Sequence, residues 1–225
     1  AKNLLAQLIA CPSLSKEEQG TAQILEDFFA AQGISTKRVG NNVWASNLHF
    51  DASKPTILLN SHHDTVKANA SWTFDPFKAT EQDGKLIGLG SNDAGASLVC
   101  LIATFVSFYA EENLGFNLVV AATAEEEISG TGGIEALLKS GDLPPIDFAI
   151  VGEPTDCALA IAEKGLMVID AKVKGIAGHA ARNEGVNAIY LALEDIQSIR
   201  NHSFAEVSDL LGPVKASVTV INAGK

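Results

Sequence analysis

The stretch TILLNSHHDTV, residues 56–66, decides the fold of this chain. Residues 56–60 form a short, mainly apolar run of the kind found in buried strands, and the run leads directly into His62 and Asp64. Side chains two residues apart on a strand point to the same face, so these two lie together while His63 points to the opposite face. The pair stands at the carboxyl end of the strand, where open α/β sheets bind their ligands.

Two interpretations of this His-x-Asp pair are open. A metal-bound imidazole commonly donates its second N–H to a carboxylate, so His62 suits a metal ligand and Asp64 suits the group that orients it. A polar turn with an incidental pair of histidines explains the same residues equally well. The pair alone does not decide between a metal site and a turn.

Apolar strands alternate with helices on both sides of this stretch. Further strands are predicted at residues 34–39, 43–48, 117–122 and 148–151. Helices are predicted at residues 96–109 and 131–139, and residues 15–18 (SKEE) have the capping-box pattern of a helix start. This alternation predicts a layered α/β domain with a largely parallel sheet over residues 1–164.

The pattern changes after residue 164. Residues 166–173 and 216–221 alternate apolar and polar side chains, and residues 186–199 have helical spacing. These elements predict a separate α+β unit over residues 165–225 with a half-exposed sheet. Because they are too few to close a core, we expect the sequence to stop partway through this unit.

Two of the predicted apolar elements each have one acidic residue at an end. Asp93 lies in a glycine-bounded turn before the predicted helix at residues 96–109, where a role as helix N-cap is sufficient to explain it. Alternatively, its two carboxylate oxygens bridge two cations. Glu153 follows the predicted strand at residues 148–151, and Pro154 fixes the chain just beyond it.

Three consecutive acids, Glu125, Glu126 and Glu127, follow another predicted strand. Such a run is usually a solvated surface, but after a buried strand it favours a cleft in which a cation neutralises the repulsion between the carboxylates. Neighbouring acids can then serve as metal ligand and general base. Together with His62, these acids offer the nitrogen and oxygen donors that a hydrolytic zinc centre uses.

Composition limits the class of partner. The formal net charge of −11, from 16 Lys and Arg against 27 Asp and Glu, is opposite to the basic footprint that nucleic acid requires. No apolar run approaches the roughly 20 residues of a membrane span, and the first residues lack the pattern of a secretory signal. The three scattered cysteines form no CxxC pair and fit reduced thiols. We therefore expect a cytoplasmic protein with a small-molecule partner.

Five motifs occur in the order of one enzyme family: SHHDTV, GLGSNDAG, TAEEE, IVGEPT and GIAGHAARNEGVNAI. Over essentially its whole length the chain resembles the aminoacylase, acetylornithine deacetylase, succinyl-diaminopimelate desuccinylase and carboxypeptidase G family of dinuclear zinc hydrolases. Acetylornithine deacetylase-like members are the most similar. The resemblance implies a zinc-exopeptidase-like, three-layer catalytic domain and a ferredoxin-like lid domain that forms a homodimer.

The resemblance also implies an activity. The expected enzyme is a metallohydrolase that removes the acyl group from an N-acyl amino acid such as N-acetylornithine, a step of arginine biosynthesis, with two Zn²⁺ ions or possible Co²⁺ substitutes. A dipeptidase or carboxypeptidase with the same centre is the alternative within the family. A non-catalytic homologue used for binding or dimerisation is the alternative outside enzymes.

Metal ligands are implied by the same resemblance. His62 and Glu153 are expected to bind one metal, and Asp93 is expected to bridge it to a second metal bound by Glu127. The Asp93–Ala94 peptide bond is expected to be cis. The second metal of the family also takes a histidine from a later segment, so its site is expected to be incomplete in this chain, and the chain alone is expected to be inactive.

Three further residues receive roles from the resemblance. Asp64 is expected to orient the metal-binding imidazole, and Glu126 is expected to be the general base that takes the proton of the attacking water. His179 is expected to cross the dimer interface and help stabilise the oxyanion in the partner's active site. His202 does not match the missing ligand of the second metal.

Overall fold

The computed structural model describes residues 1–182 and 184–224. They separate into two compact units, Ala1–Cys157 and Ala158–Lys225, and each unit is described by itself. This division falls slightly before the boundary expected from the sequence after residue 164. The helices of the first unit are α1 (Lys2–Ala10), α2 (Gln19–Ala31), α3 (Ser97–Phe108) and α4 (Ile134–Ser140).

A five-stranded mixed sheet forms the centre of the first unit. Its strands, in spatial order, are β1 (Lys37–Val39), β2 (Asn42–Ser46), β6 (Asn117–Thr123), β3 (Thr56–His62) and β7 (Phe148–Val151). Strands β4 (Thr80–Gln82) and β5 (Lys85–Ile87) form a separate hairpin. Strand β3 pairs in parallel with both β6 and β7, while β2 runs antiparallel to β1 and β6. The carboxyl ends of β3, β6 and β7 therefore meet at one edge, as the largely parallel prediction requires.

Helices cover both faces of this sheet because its strands are apolar on both sides. One face packs against α1, α2 and α3, with Phe29 and Phe105 in edge-to-face contact at 6.1 Å between ring centroids. On the other face, Trp44 and Val119 pack with Leu137 of α4. The predicted α/β domain is thus confirmed, and the predicted elements of this unit begin and end within three residues of their observed bounds.

Helix α3 is a core helix of this unit. Within the described residues, the segment Ser91–Phe108 alone is long and apolar enough to cross a membrane, judged by length and composition. Its Leu98, Ile102 and Phe105 side chains are buried in the cluster against the sheet. These buried side chains place one face of α3 in the core of the unit.

The start of α2 differs from the sequence-based prediction. The helix begins at Gln19, after Glu18, and no side chain caps it. The hydroxyl of Ser15 donates instead to the buried carboxylate of Asp64 at 2.7 Å. A hydrogen bond to an ionised acceptor is stronger than one between neutral groups, so the long-range partner replaces the predicted capping box, and that prediction was wrong.

The second unit forms less regular structure than predicted. It contains α5 (Ala188–Asn201) and a short hairpin of β8 (Val207–Ser208) and β9 (Gly212–Pro213). The strands predicted at residues 166–173 and 216–221 do not form, and that part of the prediction was wrong. Leu166 and Val168 are largely exposed, and α5 buries none of its side chains. An alternating strand needs a paired neighbour and a covered face, and the described residues of this unit supply neither for the two segments. The predicted lid domain is therefore not shown.

Candidate metal centre

Strand β3 delivers His62 to the sheet edge and fixes its ring. The ring is buried, and Nδ1 lies 3.0 Å from the backbone carbonyl of Asp64 and 3.3 Å from its Oδ1. Both neighbours are acceptors, so Nδ1 carries a proton and donates it. The other nitrogen, Nε2, faces the open side, which is the arrangement of a metal-binding imidazole with an orienting carboxylate.

Asp93 lies opposite this nitrogen. It belongs to a kinked π-helical segment, Ser91–Ala96, and has an extended backbone with φ −107° and ψ 102°. Its side chain caps no helix, which removes the explanation that the sequence alone favoured. Its Oδ1 lies 3.1 Å from Nε2 of His62. The Asp93–Ala94 peptide bond is cis, which confirms that expectation.

The three consecutive acids form a turn directly after β6, called the acid turn here (residues 125–129). Glu125 and Ser129 have positive φ angles, and Glu126–Ile128 is a single 3₁₀ turn between them. The turn leaves Glu126 half exposed, with its Oε2 3.8 Å from Nε2 of His62. The neighbouring Glu127 is partly buried.

Asp64 also holds the acid turn. Its Oδ1 accepts the backbone N–H of Glu126 at 3.1 Å, and its Oδ2 accepts that of Glu127 at 3.2 Å. Burial acts to raise the pKa of Asp64, but the hydrogen bonds from His62, Ser15 and these two amides outweigh it and hold the pKa below its usual value. Asp64 is therefore a fully buried carboxylate that orients the imidazole and the turn together.

Glu153 reaches the same place from the end of β7. Its Oε2 lies 3.8 Å from Nε2 of His62. Two hydroxyls fix the backbone here, because Ser61 donates to the carbonyl of Gly152 at 2.7 Å and Ser97 donates to that of Glu153 at 3.2 Å. The parallel register of β3 and β7 therefore brings the fourth predicted site to the first.

The electrostatics of this cleft favour a cation. Burial raises the pKa of Glu127, and the negative charge of Asp93 adds to it. Burial likewise raises the pKa of Glu153, with a further contribution from Glu126. Burial alone would lower the pKa of His62, but the hydrogen bond and charge of Asp64, together with Glu153 and Glu126, raise it to about 9. A bound cation would offset the repulsion between the carboxylates of this cleft.

The spacing of the donor atoms fits a metal ion. One ligand atom each of His62, Asp93 and Glu127 lies within 4.8 Å of the other two. Ligand atoms of tetrahedral zinc, at about 2.0–2.1 Å from the ion, lie roughly 3.3 Å apart, close to the 3.1 Å between His62 and Asp93. Imidazole nitrogen with carboxylate oxygen is also a donor set that zinc prefers. These three residues form a candidate metal site.

Two other histidines have different surroundings. His63 points away from the cleft, as predicted, and its buried ring lies 2.8 Å from the hydroxyl of Thr21 and 3.0 Å from the carbonyl of Asn41. Burial lowers its pKa to about 4. His179 belongs to the second unit, where its Nδ1 accepts the backbone N–H of Ala181 at 3.2 Å. Its expected role across a dimer interface stays a prediction.

Sequence reasoning missed the residues that support the site from behind. Ser15 was assigned to a helix cap, although it bonds to Asp64 across 49 residues of sequence. Ser97 carries no motif that distinguishes it from other serines, and Ser61, although it is the first residue of SHHDTV, received no role. In each case the partner is distant in sequence, so a local pattern could not reveal it.

Comparison with known proteins gives relatives of this chain. A succinyl-diaminopimelate desuccinylase from Delftia acidovorans is 27% identical over 242 residues, covering 98% of this chain and 62% of the relative. The chain thus spans less than two thirds of that relative's length.

Two solved structures share the fold. An M20 metallo-carboxypeptidase from Sulfolobus solfataricus has a TM-score of 0.57 and 21% identity over 67% of this chain and 36% of that chain. A dinuclear metal-binding M20 peptidase from Bacillus subtilis has a TM-score of 0.51 and 20% identity over 67% of this chain and 41% of that chain. At this identity the likeness concerns the fold alone. Residues 58–220 match the Peptidase family M20/M25/M40, and the chain belongs to that family of metallohydrolases.

Proposed function

We propose that this chain carries the catalytic centre of a metal-dependent amidohydrolase that removes the acyl group from an N-acyl amino acid. The proposal rests on one observation: one ligand atom from each of His62, Asp93 and Glu127 lies within 4.8 Å of the other two. Glu126 lies beside Glu127 in the acid turn. The family acts on amide and peptide bonds, and the Delftia relative is named a desuccinylase. Each of these facts supports amide hydrolysis.

The metal ligands are proposed as two overlapping sets. His62 and Glu153 hold one Zn²⁺, Glu127 holds a second, and Asp93 bridges the two, with Co²⁺ as a possible substitute. The Bacillus subtilis neighbour is described as dinuclear, which supports two ions. When bound, such ions polarise an amide carbonyl and lower the pKa of water. The second set has fewer protein ligands in this chain, because it consists only of Asp93 and Glu127.

Glu126 is proposed as the general base. Its carboxylate is half exposed and 3.8 Å from Nε2 of His62, so it borders the cleft without being enclosed by it. A carboxylate in this position can take a proton from the attacking water and give it to the leaving amine. Its peptide N–H is fixed by Asp64, which limits the directions in which its side chain can point.

The test of this role is the Glu126→Gln substitution in the complete protein, because the present chain alone is expected to be inactive. We expect turnover to fall by about 10²–10⁴-fold with Zn²⁺ binding retained, because the amide cannot accept the proton. Glu135→Gln is the matched control, since Glu135 is an exposed acid on α4 that pairs with Lys139. Turnover of Glu126→Gln within about tenfold of the unmodified protein would contradict a role as general base.

The substrate is proposed to be an N-acyl diamino acid. Motif resemblance favours N-acetylornithine, and hence arginine biosynthesis, whereas the Delftia relative favours N-succinyl-diaminopimelate. A peptide is the second candidate, because the Sulfolobus neighbour is described as a carboxypeptidase. Turnover of the two acyl compounds should exceed that of a dipeptide panel. Faster cleavage of the dipeptides would overturn the deacylase proposal in favour of a peptidase.

A homodimer is proposed on the expected role of His179, and its support is the sequence resemblance. A cytoplasmic location is proposed because the three scattered cysteines fit reduced thiols. Sedimentation of the protein should give twice the chain mass. Mixing the inactive His179→Ala variant with the inactive Glu126→Gln variant should restore part of the activity. A protein that sediments as a monomer, or a mixture without activity, would contradict the homodimer.

A further inference from the structure

Four consecutive backbone amides approach the cleft, and each is held by a buried side chain. The N–H of Ala124 donates to Oδ1 of Asn42 at 3.0 Å, and that of Glu125 donates to Oε1 of Glu18 at 3.1 Å. The next two amides donate to the oxygens of Asp64. The backbone that carries the candidate base and ligand is thus fixed one residue at a time.

Glu18 has no role in the chemistry proposed above, yet it is a fully buried carboxylate. Burying a charge is costly unless hydrogen bonds compensate for it. Three donors do so: the N–H of Lys16 at 2.6 Å, the side-chain amide of Asn41 at 2.7 Å and the N–H of Glu125. The first two fix Glu18 in place, so that the third can fix the turn.

Asn41, which donates to Glu18, is itself held by a hydrogen bond. Asn41 receives a hydrogen bond on its Oδ1 from Arg38 at 3.1 Å, which fixes its orientation toward Glu18. Arg38 in turn pairs with Glu26 of α2 at 2.9 Å. Helix α2 is therefore linked by an ion pair and hydrogen bonds to β1 and to the turn between β1 and β2. Through Glu18, both are linked to the acid turn.

We propose that Glu18 is a positioning residue that aims Glu127, and with it Glu126, by holding the N–H of Glu125. Glu125 is in the left-handed region, with φ 56°, where a residue with a side chain needs support from its surroundings. Release of its amide frees the first residue of the turn, and the carboxylates of the next two residues, Glu126 and Glu127, lose their alignment with His62. The proposal rests on the proposed function of Glu127 as a metal ligand.

The experiment compares Zn²⁺ affinity by chelator competition and the visible spectrum of the Co²⁺ form. Glu18→Met removes both acceptor oxygens, and with them all three hydrogen bonds, at similar volume. Glu18→Asp keeps the charge but shortens its reach. We expect both to weaken Zn²⁺ binding by about tenfold, within the range seen when groups behind a ligand are lost, and to change the Co²⁺ bands. Glu18→Gln should recover part of the affinity, because its amide oxygen can still accept the N–H of Glu125, while its N–H₂ loses the hydrogen bond from Asn41.

The matched control is Asn47→Leu. Asn47 is buried and accepts the N–H of Leu118, at the opposite end of the same strand β6. Its loss should lower the melting temperature and leave Zn²⁺ affinity and the Co²⁺ spectrum unchanged. A purely structural role for Glu18 would give the same result as this control.

A double-mutant cycle decides whether Glu18 acts through Glu127. In a Glu127→Ala background, Glu18→Met should change the remaining affinity by no more than about twofold, because the ligand it aims is gone. An undiminished effect in that background would overturn the proposal, as would unchanged affinity in both Glu18→Met and Glu18→Asp. If Glu18→Met does not fold, Glu18→Asp enters the cycle in its place. An unmodified protein that binds no Zn²⁺ would overturn the proposed function as well.

Discussion

The carboxylate of Asp64 lies 3.3 Å from Nδ1 of His62, on the side of the ring away from the cleft. This contact keeps the proton on Nδ1, so that Nε2 is the nitrogen that faces the carboxylates and that a metal ion can bind once its proton has left. The same carboxylate accepts two backbone amides of the acid turn. One buried acid therefore sets the position of a histidine from β3 and of two glutamates that follow β6.

Replacing Asp64 should weaken metal binding. In Asp64→Asn, an N–H₂ group faces donors from the imidazole or from the turn, so at least one of these hydrogen bonds is lost. We expect Zn²⁺ affinity to fall by roughly 10–100-fold, measured by chelator competition. Asp147→Asn is the control, because Asp147 accepts the N–H of Thr56 at the other end of β3. Equal affinities in the two variants would contradict this role for Asp64.

Metal binding should release a proton from His62. The pKa of this residue is raised to about 9, so the imidazole is charged in the metal-free protein at neutral pH, and a metal ion must displace the proton from Nε2. Apparent affinity should therefore fall as the pH is lowered below about 9. Calorimetry in buffers of different ionisation enthalpy measures the release. We expect close to one proton per protein molecule from His62, released by the ion that His62 binds. Binding without proton release would show that the ring is neutral beforehand.

The end of β7 should tolerate no side chain at Gly152. A Cβ there would lie 2.8 Å from Cδ1 of Leu101 and 3.0 Å from Cβ of Ser97. We expect Gly152→Ala to destabilise the fold by about 1–3 kcal/mol, measured by urea unfolding, and to weaken Zn²⁺ binding through the displaced Glu153. Gly115→Ala places its Cβ in open space and should leave affinity unchanged. A Gly152→Ala protein with full stability and affinity would contradict the close packing.

Local patterns predicted the five strands of the central sheet and helices α2, α3 and α4, because these elements follow apolar periodicity, but they did not predict α1. Residues 56–66 showed both the buried strand and the shared face of His62 and Asp64. The convergence of three of the four sites at one sheet edge followed from the parallel order of β3, β6 and β7. For Asp93 the local pattern favoured a cap, and only the kinked backbone and the contact with His62 show otherwise.

Long-range partners and unpaired strands lay beyond such patterns. The pairs Ser15–Asp64 and Glu18–Glu125 join residues 49 and 107 positions apart, and nothing in the four letters SKEE indicates either partner. The alternation at residues 166–173 is compatible with a strand, but a strand forms only where a neighbour offers its hydrogen bonds. The second unit provides no such neighbour among its described residues.

The central claim is that His62 and the carboxylates around it hold a metal ion. Equilibrium dialysis of the protein against Zn²⁺, followed by metal analysis, tests it most directly. The exposed His49 provides the control. We predict that the unmodified protein and His49→Ala retain Zn²⁺ while His62→Ala does not. No bound Zn²⁺ in the unmodified protein, or equal retention by His62→Ala, would contradict the account.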